Sequence, residues 1–277
     1  MDFKTRFNEY ILDFEQHIKD YAKSMGGMHP GLYDAMNYSL LSGGKRIRPV
    51  IMLAFCDLIG GNKNNVYPFA CALEMIHTYS LIHDDLPCMD DDTMRRGKPC
   101  NHITFGEDMA LLAGDALLTQ AFEVASGFET SENLVKNQIR SINILAKCAG
   151  SFGMVSGQCF DLHTDKQHLS KNDVINIYRL KTAELFCAAS SVGAVMSGAD
   201  ENTIKLAELY GEKLGIAFQL IDDILDDESE LLSVFEDETP QKFLRMLTFD
   251  AKEILGKIGG DTEFLISLTD YLTGRTY

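Results

Sequence analysis

Two dense runs of aspartate, each closing an apolar segment, constrain this chain more than any other feature. Asp84-Asp85-Leu86-Pro87-Cys88-Met89-Asp90-Asp91-Asp92 follows the apolar stretch that begins at Met75, and Asp222-Asp223-Ile224-Leu225-Asp226 follows the one that begins at Leu214. A buried carboxylate without a partner is very costly, and carboxylates packed this densely repel one another unless cations neutralise them. The two runs start 138 residues apart, so only the fold can bring them together. Hydrated Mg²⁺ suits such a place, because it takes one or two carboxylates and fills its shell with water and phosphate oxygens. Arg95-Arg96 follows the first run at once and supplies fork donors matched to phosphate. Taken singly, an aspartate run is more often a solvated helix end. Two runs, each led in by an apolar segment and one followed by arginines, point instead to a site for a diphosphate.

The rest of the pattern is helical. Phe3, Phe7, Tyr10, Ile11, Phe14 and Ile18 recur at spacings of three and four, which makes one apolar stripe. Similar segments run from about Gly31 to Leu41, Arg48 to Ile59, Val66 to His83, Asp108 to Phe128, Ser131 to Gly150, Lys171 to Tyr178, Lys181 to Ser197 and Glu201 to Leu225. Segments around Leu73, Ala116, Ala188 and Ala217 are apolar or small on most faces, as central helices are. The alternating β-branched runs of strands are missing. The expectation is one all-α domain over residues 1–277, with an atypical acidic loop at about 226–240 and helix again from Gln241 to Leu272.

Charge and cysteine usage narrow the setting. A net charge of −16 argues against nucleic acid or an anionic membrane as partner, and obliges an anionic substrate to find local cations. Seven scattered cysteines without a Cys-x-x-Cys pair oppose a disulfide framework or a zinc site. No apolar run reaches the ~18 residues of a membrane span, and Met1-Asp2-Phe3-Lys4 opens no signal-peptide core. A cytoplasmic protein without stable membrane insertion is expected.

Local geometry adds candidates. Asp222 and Asp226 are i and i+4 and share a helix face, with Asp223 about 100° round. Pro87 cannot continue a regular helix, so a bend there can return Asp90 towards Asp84. Gly43-Gly44-Lys45-Arg46-Ile47-Arg48-Pro49 joins a permissive turn to three cations at a helix start, an anion site or simply a basic surface turn. His77 lies seven residues before Asp84 and shares its face two turns deeper, though an isolated helical histidine is more often structural. Lys181-Thr182 reads as the opening of an apolar helix, where donors meet anions or merely start the helix. Gln219 can aim a dipole into an apolar cavity or satisfy a structural partner. Gly157-Gln158 and Asp161 add polar groups to an apolar segment.

The full set resembles the trans-isoprenyl diphosphate synthases, and bacterial farnesyl diphosphate synthases most closely. The residues that carry the likeness are Gly43–Pro49, His77–Asp90, Arg95–Pro99, Gly157-Gln158, Lys181-Thr182 and Phe218–Asp226, in that order. The resemblance implies an all-α fold around a deep central cavity, usually as a homodimer. It implies that Asp84, Asp85, Asp90, Asp222, Asp223 and Asp226 hold Mg²⁺ against an allylic diphosphate, with Arg95, Lys181, Thr182 and Gln219 completing that site. Gly44, Lys45, Arg48, His77 and Arg96 would hold isopentenyl diphosphate. It also places the floor of the product cavity five residues before the first aspartate, at Tyr79. Plain helix geometry favours Ser80, four residues before, for the face of Asp84. An aromatic floor there implies the fifteen-carbon farnesyl diphosphate, with geranyl or geranylgeranyl diphosphate synthesis as alternatives.

One departure accompanies the match. Family members carry a glycine-rich segment with a lysine after the second aspartate run, where this chain has Glu236-Asp237-Glu238. Lys242 is a candidate replacement; Gly256-Lys257-Ile258-Gly259-Gly260-Asp261 lies too far along. The missing cation makes a second reading worth stating, a weak or inactive member serving as a structural or regulatory subunit. A terpene cyclase would share the aspartates but has no use for the set around Lys45, Arg48 and His77.

Overall fold

Aromatic and aliphatic residues at spacings of three and four build the first helix, and the same rule repeats along the chain. The computed structural model describes residues 2–24, 29–165, 168–226, 229–235 and 239–275. Its helices are α1 (Phe3–Ser24), α2 (Pro30–Leu40), α3 (Ile47–Ile59), α4 (Tyr67–Asp84), α5 (Asn101–Phe105), α6 (Glu107–Gly127) and α7 (Val135–Ala149). They continue with α8 (Met154–His163), α9 (Lys171–Tyr178), α10 (Glu184–Met196), α11 (Glu201–Leu225), α12 (Ser229–Leu232), α13 (Pro240–Ile258) and α14 (Glu263–Thr273). Two two-residue strands, β1 (Met94–Arg95) and β2 (Lys98–Pro99), pair antiparallel just after the first aspartate run.

Helix α1 buries Tyr10, Phe14, Ile18 and Ala22 along one stripe. Helices α4 and α10 are central. Ten successive residues of α4, Tyr67–Ile76, are buried, and so is every residue of α10 from Leu185 to Met196. Burying a Leu or Phe contributes about 2 kcal/mol each, so these two helices hold much of the stability. Close approach of α11 to α10 rests on two glycines: a Cβ at Gly211 would sit 2.6 Å from Cys187 Cα, and one at Gly215 2.4 Å from Ala183 Cα. A second apolar cluster joins Val174 and Tyr178 of α9 to Ile216 and Leu220 of α11 and to Phe243 and Leu247 of α13.

Three differences from the sequence reading have physical causes. The helical stretch from Gln241 to Leu272 divides at Gly259 and Gly260, whose φ of 78° and 76° lie in the left-handed region that favours glycine. Lys181 and Thr182 do not open a helix. They lie in a π-turn, Arg179–Ala183, inside one helix that runs from Lys171 to Met196, so no free helix N-terminus faces an anion there. Arg46, one of the three cations of the glycine-rich turn, is buried and spent on structure. Its guanidinium donates to Glu15 Oε1 at 2.7 Å, Glu74 Oε1 at 2.6 Å and Leu40 O at 2.9 Å, tying α1, α4 and α2 together. Of the acidic loop, residues 227–228 and 236–238 lie outside the described residues.

Candidate active site

The end of α4 builds the first wall. Asp84 ends the helix, Pro87 stops it from continuing, and the chain turns back until Asp90 N donates to Asp84 O at 2.9 Å. Asp84 Oδ1 accepts from Gln158 Nε2 of α8 at 2.9 Å. Gly157 lets α8 come this close, since a Cβ there would meet Lys181 N at 2.2 Å. Burial pushes the Asp84 carboxyl up to about 6; Lys181 and Arg95 pull it down, while Asp90 and Asp85 push it up. Asp90 and Asp92 are exposed at the rim. Asp85 is 3% exposed and turns away, accepting from Arg95 Nε at 2.5 Å.

The end of α11 builds the facing wall. Asp223 Oδ1 accepts from Gln219 Nε2 at 2.8 Å, its other oxygen accepts from the Tyr178 hydroxyl, and Gln219 Oε1 in turn accepts from Thr182 Oγ1 at 2.7 Å. Asp222 pairs with Arg275 Nη1 at 2.8 Å, and that guanidinium lies over the Phe218 ring, 4.4 Å from its centre. Burial raises the Asp222 carboxyl, against the pull of Arg275 and Lys45. Asp222 and Asp226 therefore diverge, and it is Asp223 and Asp226 that line one chamber together. The cause is the counter-ion that draws Asp222 aside.

Three connected chambers meet at Thr182. The chamber between the walls, about 700 Å³, is lined by Asp90, Lys181, Gln219, Asp223 and Asp226. A cationic chamber of about 620 Å³ carries Gly44, Lys45, Arg48, His77, Arg96 and Asp222. An apolar chamber of about 450 Å³ runs from Asp84 past Ser80 and Tyr79 to Met154, Val155 and Leu185. Thr182 lines all three, and Arg95 lines the first two.

Electrostatics divide these chambers. Arg48 Nη1 lies 3.3 Å from His77 Nε2, and the guanidinium sits 5.0 Å from the Phe186 ring centre. Burial, reinforced by Arg48, holds His77 well below its usual range, so the ring is neutral and Nε2 accepts. Burial also pushes Arg48 down to about 10, which leaves it cationic. Gly44 is required at φ 132°, where a Cβ would press on Arg96 Cζ at 2.9 Å. Lys181 Nζ is held by Asp161 Oδ2 at 2.5 Å. On both walls the donors are carboxylate oxygens, and among the described residues no three His, Cys, Asp or Glu close into a metal cage. That donor set fits a hard divalent cation that takes its remaining ligands from water and phosphate.

Most residues singled out in the sequence line these chambers; Asp85 and Lys242 do not. Tyr79 and Ser80 both face the apolar chamber, so the choice between them that helix geometry posed does not arise. Lys242 stands in the first turn of α13 and lines none of the three. Sequence reasoning missed Tyr178, Asp92 and Arg275. Asp92 belongs to the aspartate run, and Tyr178 lies one helical turn before Lys181, so both had a signal. Arg275 had none.

The polyprenyl synthetase family description matches residues 29–233. Farnesyl diphosphate synthase of Bacillus subtilis (strain 168) is 36% identical, covering 95% of this chain and 95% of its own length. Large subunit 1 of the chloroplastic heterodimeric geranylgeranyl pyrophosphate synthase of Arabidopsis thaliana is 48% identical over 70% of this chain, but the match spans only 54% of that protein. The crystal structure of a geranyltransferase from Legionella pneumophila superposes with a TM-score of 0.92 at 32% identity, covering 99% of this chain and 98% of that one. The helices and their central chambers have the all-α fold of isoprenoid synthases. The chain belongs to the polyprenyl synthetase family and is a trans-prenyltransferase.

Proposed function

We propose that the protein is a magnesium-dependent prenyltransferase that joins isopentenyl diphosphate to dimethylallyl or geranyl diphosphate and releases farnesyl diphosphate. The observation that carries this reading is the meeting of an acidic, a cationic and an apolar chamber at Thr182. Mg²⁺ held by Asp84, Asp90, Asp223 and Asp226 would neutralise the allylic diphosphate as it departs. Arg95 and Lys181 add fixed positive charge to the same region, where preorganised donors act most strongly. Lys45, Arg48 and Arg96 hold the second diphosphate, with neutral His77 fixing the Arg48 fork. The apolar chamber excludes water from the allylic cation, which the double bond of isopentenyl diphosphate attacks. The proton then lost passes to the released diphosphate, since His77 is already engaged as an acceptor.

Product length follows from the chamber floor. Tyr79 is 7% exposed and stands edge-on to His83, with ring centres 5.7 Å apart. A ring fixed in a packed wall resists displacement by a growing chain, which favours fifteen carbons. The likeness to a geranylgeranyl pyrophosphate synthase supports twenty carbons as the second reading. We also read the protein as a homodimer, in which exposed Leu111, Leu112, Ile139 and Phe152 on α6, α7 and the turn before α8 would be covered. No described helix is long and apolar enough to cross a membrane. The test is chromatography of products made with Mg²⁺, labelled isopentenyl diphosphate and geranyl diphosphate. Wild type should give fifteen carbons and Tyr79→Ala a product shifted towards twenty; identical products from both would remove Tyr79 as the floor.

A further inference from the structure

Asp84 and Asp85 are neighbours on one helix end, yet they face different surroundings. Asp84 opens onto the apolar chamber. Asp85 lines none of the three chambers. It faces a void of about 30 Å³ behind the β1–β2 hairpin, room for a water or two and too small for a diphosphate. Both partners of its carboxylate come from that hairpin and its foot: Arg95 Nε at 2.5 Å, and the Cys100 thiol, which donates to it. Burial and the Asp85 charge together push that thiol up to about 12, so it remains a donor at neutral pH.

We propose that Asp85 is a positioning residue that holds Arg95 across the acidic and cationic chambers, and that it gives no oxygen to a metal. The hairpin is built to be held. Arg96 and Gly97 take φ of 53° and 75°, the left-handed pair of a tight two-residue turn. Its far strand is pinned to α2 where the Tyr38 hydroxyl donates to Pro99 O at 2.8 Å, and Asn101 Nδ2 donates to Ala35 O at 2.8 Å. Asp85 fixes Arg95 through Nε, on the stem side of the fork. Asp92 takes Nη2 at 3.1 Å but is itself half exposed, so a phosphate can replace it. The fork then points at both diphosphate chambers with its planar face set, which is what bidentate phosphate recognition requires.

This inference rests on the prenyltransferase reading, and its test separates the two. Asp85→Asn, Arg95→Lys and their double variant are compared with Asp84→Asn as the metal-wall reference. In steady-state kinetics, Asp85→Asn should raise the KM for the allylic diphosphate about tenfold, as a lost charged hydrogen bond does. The double variant should be no worse than the poorer single one, and the Mg²⁺ concentration for half-maximal rate should stay within about twofold. Calorimetric titration of inorganic pyrophosphate at saturating Mg²⁺ should show the same tenfold weakening without any turnover. An Asp85→Asn protein whose Mg²⁺ requirement rises as that of Asp84→Asn does, or whose effect multiplies with that of Arg95→Lys, would overturn the assignment. If Asp85→Asn does not fold, Asp85→Glu, which keeps the charge but moves it, is carried through the same measurements with the same deciding outcomes. A wild type without turnover would sink the prenyltransferase reading and leave the pyrophosphate titration to decide the role of Asp85.

Discussion

The two aspartate walls face each other across one chamber but are supported in opposite ways. The first is supported mostly locally, the exception being Gln158 of α8, which donates to Asp84. Within residues 84–100 the chain supplies a stop at Pro87, a return bond from Asp90 to Asp84 and a hairpin arginine for Asp85. The second has one local support, Gln219 donating to Asp223 from a turn back, and is otherwise held from a distance. Asp223 depends on Tyr178, 45 residues back, and Asp222 on Arg275 beyond the last described helix. Among the described residues between α11 and Phe235 there are apolar anchors and no cation. Leu231 reaches the chamber between the walls, and Phe235 is buried against Phe243, ring centres 5.5 Å apart. Equal density of charge therefore says little about how each carboxylate is held.

The largest effect should come from removing a carboxylate outright. Asp84→Ala or Asp223→Ala is expected to lower turnover about 10³-fold or more, since metal-borne charge stabilisation amounts to several kcal/mol. Circular dichroism should show the helices intact. A folded variant of either wall with near-normal turnover would end the idea that both walls hold metal. A smaller effect should follow from giving the second wall a cation of its own. Asp237→Lys, outside the described residues, is expected to lower the allylic KM a few-fold. No change in KM or kcat, even after the whole glycine-lysine segment is grafted in, would mean that the segment is dispensable here. The smallest effect belongs to the distant support. The pair between Arg275 and Asp222 is partly exposed, so Arg275→Ala should cost about 1 kcal/mol plus the lost ring contact. Its measure is the thermal midpoint without ligands, which should fall by a few degrees at most; a drop beyond 10 °C or so would make the tail a structural keystone.

This contrast also explains what could be read from the residues alone. The helices were legible because their apolar spacing is local, and so was the bend at Pro87, which a missing N–H dictates. The first wall was mostly legible for the same reason. Asp85 was not, because its direction depends on a guanidinium ten residues on and a thiol fifteen residues on. The divergence of Asp222 from Asp226 was hidden for a stronger reason. Helical spacing puts them on one face, and only a partner 53 residues away draws Asp222 aside. Lys181 and Thr182 were found by residue type, but the π-turn that carries them leaves no compositional mark.

That π-turn has a consequence for how the chain can change length. A π-turn houses one more residue than the α-turn it replaces, so everything beyond Ala183 is rotated by about 100° from where an unbroken helix would place it. Before the turn, Val174 and Tyr178 face the second apolar cluster; after it, Phe186, Ala189 and Val192 face the main core. The extra residue is thus a phase shift that lets one rod serve two cores. Substitutions between Arg179 and Ala183 change only local chemistry. Loss of a single residue there would turn thirteen residues of α10 out of register with everything packed against them, so insertions and deletions are constrained there even at positions where the side chain itself is free to vary.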